Sequence, residues 1–332
     1  MTPSSSSSRA DRMPPPPFDP ELAAALEVIR EHVPPSIRLE TLDTMRQLRR
    51  QLGPSDEDLR RDGAFDVTER RVPGPQGAPD VSLLICRPTG ATAPLPAVYY
   101  VHGGGMIMGD NRTGIEEPLD WARELGLVLV SVEYRLAPDH PHPAPVEDCY
   151  AGLVWTAGNA AELGIDPDRL IVAGTSAGGG LAAALALMVR DRGGPTPAGQ
   201  VLLCPMLDDR NETPSSHQME GLGIWDRNSN DTGWTALLGE SRGGPDVSPY
   251  AAPARAEDLS GLPPTFIDVG SAETFRDEDV AYATRIWQAG GQAELHVWPG
   301  GFHGFDMLAP HAALSQDARA ARLRWLRRLL EG

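Results

Sequence analysis

The apolar positions of the chain change their period near residue 65. Before it, Leu22, Leu26 and Ile29 recur at the spacing of one helix face, Pro34-Pro35 ends that helix, and a second amphipathic helix is predicted over residues 39–52. Two such short helices cannot form a domain alone and must lie against something larger. After residue 65, short apolar runs alternate with longer helical stretches. The runs predict strands over residues 81–86, 97–101, 127–134, 170–173, 201–204, 265–269 and 295–298. Between them, helices are predicted over residues 117–125, 145–163, 177–190, 278–289 and 316–330. The apolar centre of 127–134 suits a strand covered on both faces. The alternation predicts an α/β fold with a mostly parallel central sheet flanked by helices. Ligand sites in such sheets lie beyond the carboxyl ends of the strands.

Three segments stand outside that rhythm. Residues 1–17 are Ser-rich and then Pro-rich with no apolar stretch, which predicts a disordered tail and not a secretory signal. Residues 18–60 hold the two amphipathic helices and form a candidate helical cap element ahead of the main α/β domain, residues 61–332. Residues 207–238, rich in Asp, Asn, Ser and Gly, are too long for an ordinary connection. They are expected either to form a second cap insertion, contributing Met219, Leu222, Ile224, Trp225 or Trp234 to a pocket, or to be a surface excursion.

Composition narrows the class of partner. Acidic residues outnumber basic ones by 46 to 29, a formal charge of −17, which makes nucleic acid and anionic membranes poor partners. No run approaches the roughly 18 apolar residues of a membrane span. Cys86, Cys149 and Cys204 lack metal-ligand or redox spacing, and two of them fall in apolar or strand-like sequence that fits buried thiols in a reducing compartment, so a cytoplasmic protein is expected. No cofactor or metal is called for. A homodimer is the default assembly.

The chemistry is concentrated at strand ends. Gly174-Thr175-Ser176-Ala177-Gly178 joins a predicted strand to a predicted helix, and the small residues permit a tight turn that presents the serine oxygen at the top of the sheet. His102-Gly103-Gly104-Gly105 follows the strand 97–101. Three glycines in a row are costly in backbone entropy unless the backbone must approach something closely, such as an oxyanion served by amide donors. Phosphate cradling fits poorly, because the Lys-Ser/Thr of a P-loop is missing. His102 itself is expected to hold this loop in place. An activated serine also needs a base and an orienting acid. The later histidines are His217, His296, His303 and His311; His296 falls inside a strand pattern and His311 begins a helix. His303, in Gly300-Gly301-Phe302-His303-Gly304-Phe305 just past the last strand, is therefore the expected base. For the acid, Glu273 follows the strand 265–269, whereas Asp277 and Glu278 read as the solvated or dipole-facing first turn of the next helix. Spacing alone leaves Glu273 and Asp277 both open.

Taken together, these motifs resemble the hormone-sensitive lipase-like esterases, or bacterial family IV, of the α/β-hydrolase superfamily. The resemblance spans about residues 75–310. His102-Gly-Gly-Gly105 is similar to the family's HGGG, Gly174-Thr-Ser-Ala-Gly-Gly179 to GDSAGG, Tyr134-Arg-Leu-Ala-Pro138 with Pro143 and Asp148 to YRLAPE…P…D, and His303-Gly-Phe305 to its histidine segment. The resemblance implies an α/β-hydrolase fold with a small helical cap, a catalytic Ser176 and His303, and oxyanion amides from Gly104, Gly105 and Ala177. Laid on the family's DPLxDE segment, Glu273 takes the position of the catalytic aspartate. Glu for Asp at 273 and Thr for Asp at 175 depart from the pattern. The activity implied is a serine carboxylesterase acting on short to medium acyl monoesters through an acyl-enzyme. A lactone hydrolase or deacetylase would use the same residues. A non-catalytic ligand-binding receptor on this fold is the alternative of another class.

Overall fold

A computed structural model describes residues 13–34 and 36–331. The predicted tail over 1–17 therefore lies mostly outside the described residues. Eight strands form one sheet in the order β1-β2-β4-β3-β5-β6-β7-β8. Along the chain these are β1 (Phe65–Val72), β2 (Val81–Pro88), β3 (Leu95–Val101), β4 (Val128–Glu133), β5 (Ile165–Thr175), β6 (Gly199–Leu203), β7 (Thr265–Gly270) and β8 (Ala293–Trp298). β2 pairs antiparallel with both β1 and β4, and every other pairing is parallel.

The helices are α1 (Pro20–Arg30), α2 (Leu42–Leu52), α3 (Asp56–Arg60), α4 (Glu116–Leu125), α5 (Ala144–Gly158), α6 (Ala160–Leu163) and α7 (Ala177–Arg192). They continue with α8 (Pro214–Gln218), α9 (Arg227–Leu238), α10 (Arg276–Gln288), α11 (Phe305–Leu308) and α12 (Ala313–Glu331). α7 is apolar and small nearly all round, and every residue from Ala177 to Val189 is buried. A helix of that composition belongs in the core, where its glycines and alanines let it lie close to β5 and β6. The expected helix over 145–163 is two, α5 and α6, parted at Asn159.

Strand β1 was not foreseen from the apolar pattern. Its burial alternates poorly, with only Phe65 and Val72 buried at its ends, because it is the charged edge of the sheet. Edge strands carry such charges to avoid pairing with other chains.

The two segments read as cap candidates touch one another. Ser36 Oγ donates to Asp226 Oδ2 at 2.8 Å, the Ile37 amide to Ser229 Oγ at 2.9 Å, and Thr232 Oγ1 to the Ile37 carbonyl at 2.9 Å. Leu22 and Leu26 of α1 pack with Phe302 and Phe305. About half of residues 207–238 lie in α8 and α9, and Trp234 is fully buried. Among the described residues no helix is long and apolar enough to cross a membrane.

Candidate active site

The chain leaves β3 toward one edge of the sheet through β4 and leaves β5 toward the other through β6, β7 and β8. β3 and β5 therefore flank the point where the strand order reverses, the place where open α/β sheets form a crevice. The glycine loop 103–105 follows β3 and Ser176 follows β5, so topology alone brings the two together.

Ser176 is the single residue between β5 and α7. Its backbone, φ 58° and ψ −121°, is a conformation that a residue with a side chain adopts only under constraint. Its neighbours supply the constraint. A Cβ at position 174 would lie 2.1 Å from the Gly178 carbonyl oxygen, and one at 178 would lie 2.0 Å from the Val101 carbonyl oxygen. The second clash is with β3, so the glycine after the serine is required by the neighbouring strand and not by the turn alone. The Ser176 amide donates to the Leu203 carbonyl at 2.8 Å, and its own carbonyl accepts from Gly180 and Met206. Ala177 opens α7, where its amide is one of the first donors of the helix, without an intrahelical acceptor.

The loop from β3 runs alongside the serine, with Gly104 at φ 114° and Gly105 at φ 64°. His102 stacks on Tyr134 with ring centroids 4.1 Å apart, and the Tyr134 hydroxyl donates to the His102 carbonyl at 2.9 Å. Tyr134 is held by its own neighbour, since Arg135 makes a two-pronged ion pair with buried Asp148, both contacts 2.7 Å. The Tyr-Arg…Asp stretch thus braces the glycine loop from below. Arg46 of α2 reaches the far side of the loop, donating at 2.7 Å to the carbonyls of Ile107 and Ala137.

His303 lies beyond β8 and Glu273 beyond β7. His303 Nε2 is 2.9 Å from Ser176 Oγ, and His303 Nδ1 is 3.1 Å from Glu273 Oε1. The carboxylate fixes the ring proton on Nδ1, leaving Nε2 as the acceptor for the serine hydroxyl. The second carboxylate oxygen accepts the Gly270 amide at 3.3 Å. Phe275 meets the imidazole edge-on at 5.1 Å, and Trp225 lies at 6.5 Å on another side. Trp225 also closes over the glycine loop, because a Cβ at position 105 would lie 2.3 Å from the indole. All three members of the Ser176–His303–Glu273 line are buried.

The other candidates are placed elsewhere. Asp277 accepts from the Ser215 amide and from Arg276, each at 2.7 Å, at the junction of α8 and α10. Glu278 lies in the first turn of α10, as expected from sequence, but it is not solvated there. It is buried, accepts the Leu207 and Asp208 amides, and burial pushes its carboxyl well above the ordinary range. It shares the buried face of α10 with Tyr282, one turn further on. His296 bonds to Glu294 and stacks on Trp298, and His217 pairs with Glu212.

One supporting residue was missed. Arg322 of α12 is buried and binds Asp268 of β7 at 2.7 Å, Glu117 of α4 at 2.7 Å, and Asp306 of α11. Asp268 leads into the loop of Glu273, and Asp306 lies three residues after His303, so one guanidinium ties the acid loop to the histidine loop. The signal was present: Ala318, Ala321, Arg322, Trp325 and Leu326 share the buried face of one helix. Only an arginine with carboxylate partners occupies such a face.

Comparison with known proteins gives a consistent picture. Residues 98–307 match a family described as alpha/beta hydrolase fold. Among curated proteins, the carboxylesterase NlhH of Mycobacterium tuberculosis is 37% identical over 270 residues, 79% of this chain and 82% of that protein. The esterase LipI of the same species is 33% identical over 319 residues, 96% of this chain and 97% of that one. Among solved structures, a bacterial heroin esterase superposes with a TM-score of 0.86 at 41% identity, covering 94% of this chain and 98% of its own. The esterase LipW of Mycobacterium marinum gives 0.82 at 35% identity, covering 95% and 96%.

Proposed function

The chain belongs to the hormone-sensitive lipase-like esterases of the α/β-hydrolase superfamily and is a carboxylic ester hydrolase; on that premise we propose that Ser176, His303 and Glu273 carry its reaction, on short to medium acyl monoesters. The observation that carries the assignment is the unbroken hydrogen-bonded line from Glu273 through His303 to Ser176, with contacts of 3.1 and 2.9 Å.

In this mechanism His303 Nε2 takes the serine proton as Oγ attacks the ester carbonyl, and Glu273 stabilises the imidazolium that forms. Negative charge on the carbonyl oxygen is met by amides of Gly104 or Gly105 and of Ala177, at the positive end of α7. The protonated imidazole then gives its proton to the leaving alcohol. Water, deprotonated by the same nitrogen, releases the acid and restores the serine. The segment of residues 18–60 with 207–238 acts as the cap. Trp225, set against both the glycine loop and His303, favours compact acyl groups over long chains by filling space beside the reacting carbon.

Incubation of the folded protein with a fluorophosphonate, followed by peptide mass analysis, tests the nucleophile. A single adduct on Ser176 that disappears in Ser176→Ala is expected. Labelling of another residue, or none, overturns the assignment.

A further inference from the structure

We propose that Cys204, Glu273 and His303 form a site for a soft divalent cation such as Zn²⁺ or Cd²⁺, and that filling it switches the hydrolase off. Cys204 is the first residue past β6. It sits at φ 38°, pinned by its amide donating to the Asp268 carbonyl at 2.7 Å. That conformation turns it toward the acid and base: its sulfur, a Glu273 carboxylate oxygen and a His303 ring nitrogen all lie within 4.8 Å of one another, and all three residues are buried. Thiolate, carboxylate and imidazole are a donor set suited to zinc and its heavier congener. Zinc–ligand bonds of about 2.0–2.3 Å in tetrahedral geometry place donor atoms roughly 3.3–3.8 Å apart. Glu273 Oε1 and His303 Nδ1 are already 3.1 Å apart, and a pair at the 4.8 Å limit would close in by about 1.0–1.5 Å to meet that spacing. His303 at 9% and Cys204 at 7% exposed are the members nearest solvent.

The entering cation must displace a proton, and the filled site balances its charge. Burial and the neighbouring Glu273 carboxylate hold the Cys204 thiol well above its ordinary range, so the metal-free site keeps the sulfur protonated. A dication with one thiolate, one carboxylate and one neutral imidazole is neutral overall, which removes the cost of burying each anion separately. The balance is simple. The cation enters, the Cys204 proton leaves to solvent, and the imidazole proton moves from Nδ1 to Nε2 as Nδ1 takes the metal. Nε2 then carries a hydrogen facing Ser176 Oγ and has no lone pair with which to accept the serine proton. Coordination leaves the nucleophile in place and removes its base. This loss of activity rests on His303 being the base; the metal site itself does not.

The test titrates metal-free enzyme with Cd²⁺ while following the ultraviolet thiolate-to-cadmium charge-transfer band and hydrolysis of a short p-nitrophenyl ester. The band is expected to saturate at one equivalent, activity to fall in step, and EDTA to reverse both. In Cys204→Ser and Cys204→Ala the band is lost and the half-inhibiting Cd²⁺ concentration rises by more than about a hundredfold, beyond the usual cost of losing an outer-sphere partner. Cys86→Ser behaves as the parent. Folded Cys204 variants inhibited at the parent's Cd²⁺ concentration, or a parent that shows no band, overturn the proposal. Fluorophosphonate labelling of the metal-free enzyme separates the two ideas. Absent labelling removes the Ser176 assignment while the band still reports the site; normal labelling without a band removes the metal site alone.

Discussion

The two halves of the candidate site are held by different forces. On the side of β3 and β5, Ser176 and the glycine loop are set by backbone pressed against backbone, with Gly178 touching the Val101 carbonyl and Tyr134 bracing His102. On the side of β7 and β8, Glu273 and His303 stand on loops tied together by buried charge, through Arg322, Asp268, Asp306 and Glu117. Close packing is indifferent to pH, whereas buried carboxylates are not. The nucleophile side is therefore set mainly by shape, with the Arg135–Asp148 pair standing behind Tyr134, and the acid and base side is the one whose geometry answers most to substitution and proton concentration.

The largest effect asks whether the charged half contains one functional acid or two. Glu273→Gln keeps the size of the side chain but cannot stabilise the imidazolium, and kcat on a short p-nitrophenyl ester is expected to fall by about 10⁴-fold. Asp277→Asn, bonded to Ser215 and Arg276 and not to His303, is expected to stay within a few-fold of the parent. A reversed ranking would move the acid to Asp277 and dissolve the comparison. Next in size is Arg322→Met. It leaves Asp268 and Asp306 without their cation, which for a buried pair costs about 3–5 kcal/mol in denaturant unfolding. An unfolding free energy within about 1 kcal/mol of the parent would show that charge does not hold these loops.

The smallest effect is on pH. Burial pushes Glu117 from its ordinary 4.5 up to about 7. A carboxyl whose folded value is the higher one contributes stability that is complete below about pH 4.5 and is lost as pH rises through 7. Burial moves Glu278 and Asp279 in the same direction, so they extend the decline to higher pH. Stability measured by urea unfolding is expected to fall from pH 5 to 8 by at most about 3 kcal/mol on account of Glu117. Glu117→Gln should flatten that part of the slope, and an unchanged slope would detach this group from the pH response.

Several features were legible because they are local. The strand, turn and helix around Ser176 are written in consecutive residues, and so are the three glycines after a buried strand and the histidine flanked by glycine and phenylalanine. Edge strand β1 was hidden because its solvent-facing charges erase the period of two. Glu278 was misjudged because helix-start acids are usually solvated, and only the backbone N–H groups of Leu207 and Asp208, folded over it, supply the donors that its buried carboxyl accepts.

What the sequence determined by itself was the α/β alternation, the family, and the identity of the residues at each strand end, since these depend on period, turn chemistry and short motifs. Only the tertiary structure decided which of those ends meet. Ser176, Glu273 and His303 are separated by 97 and 30 residues and are joined by the order of parallel strands. Register and strand order also bring Cys204 beside the acid and base and Trp225 over the glycine loop. Arg322, on the last helix, is set between two loops it never neighbours along the chain. Such contacts carry no local signal, because their energy comes from packing and charge across distances that the chain closes only when the whole sheet has formed.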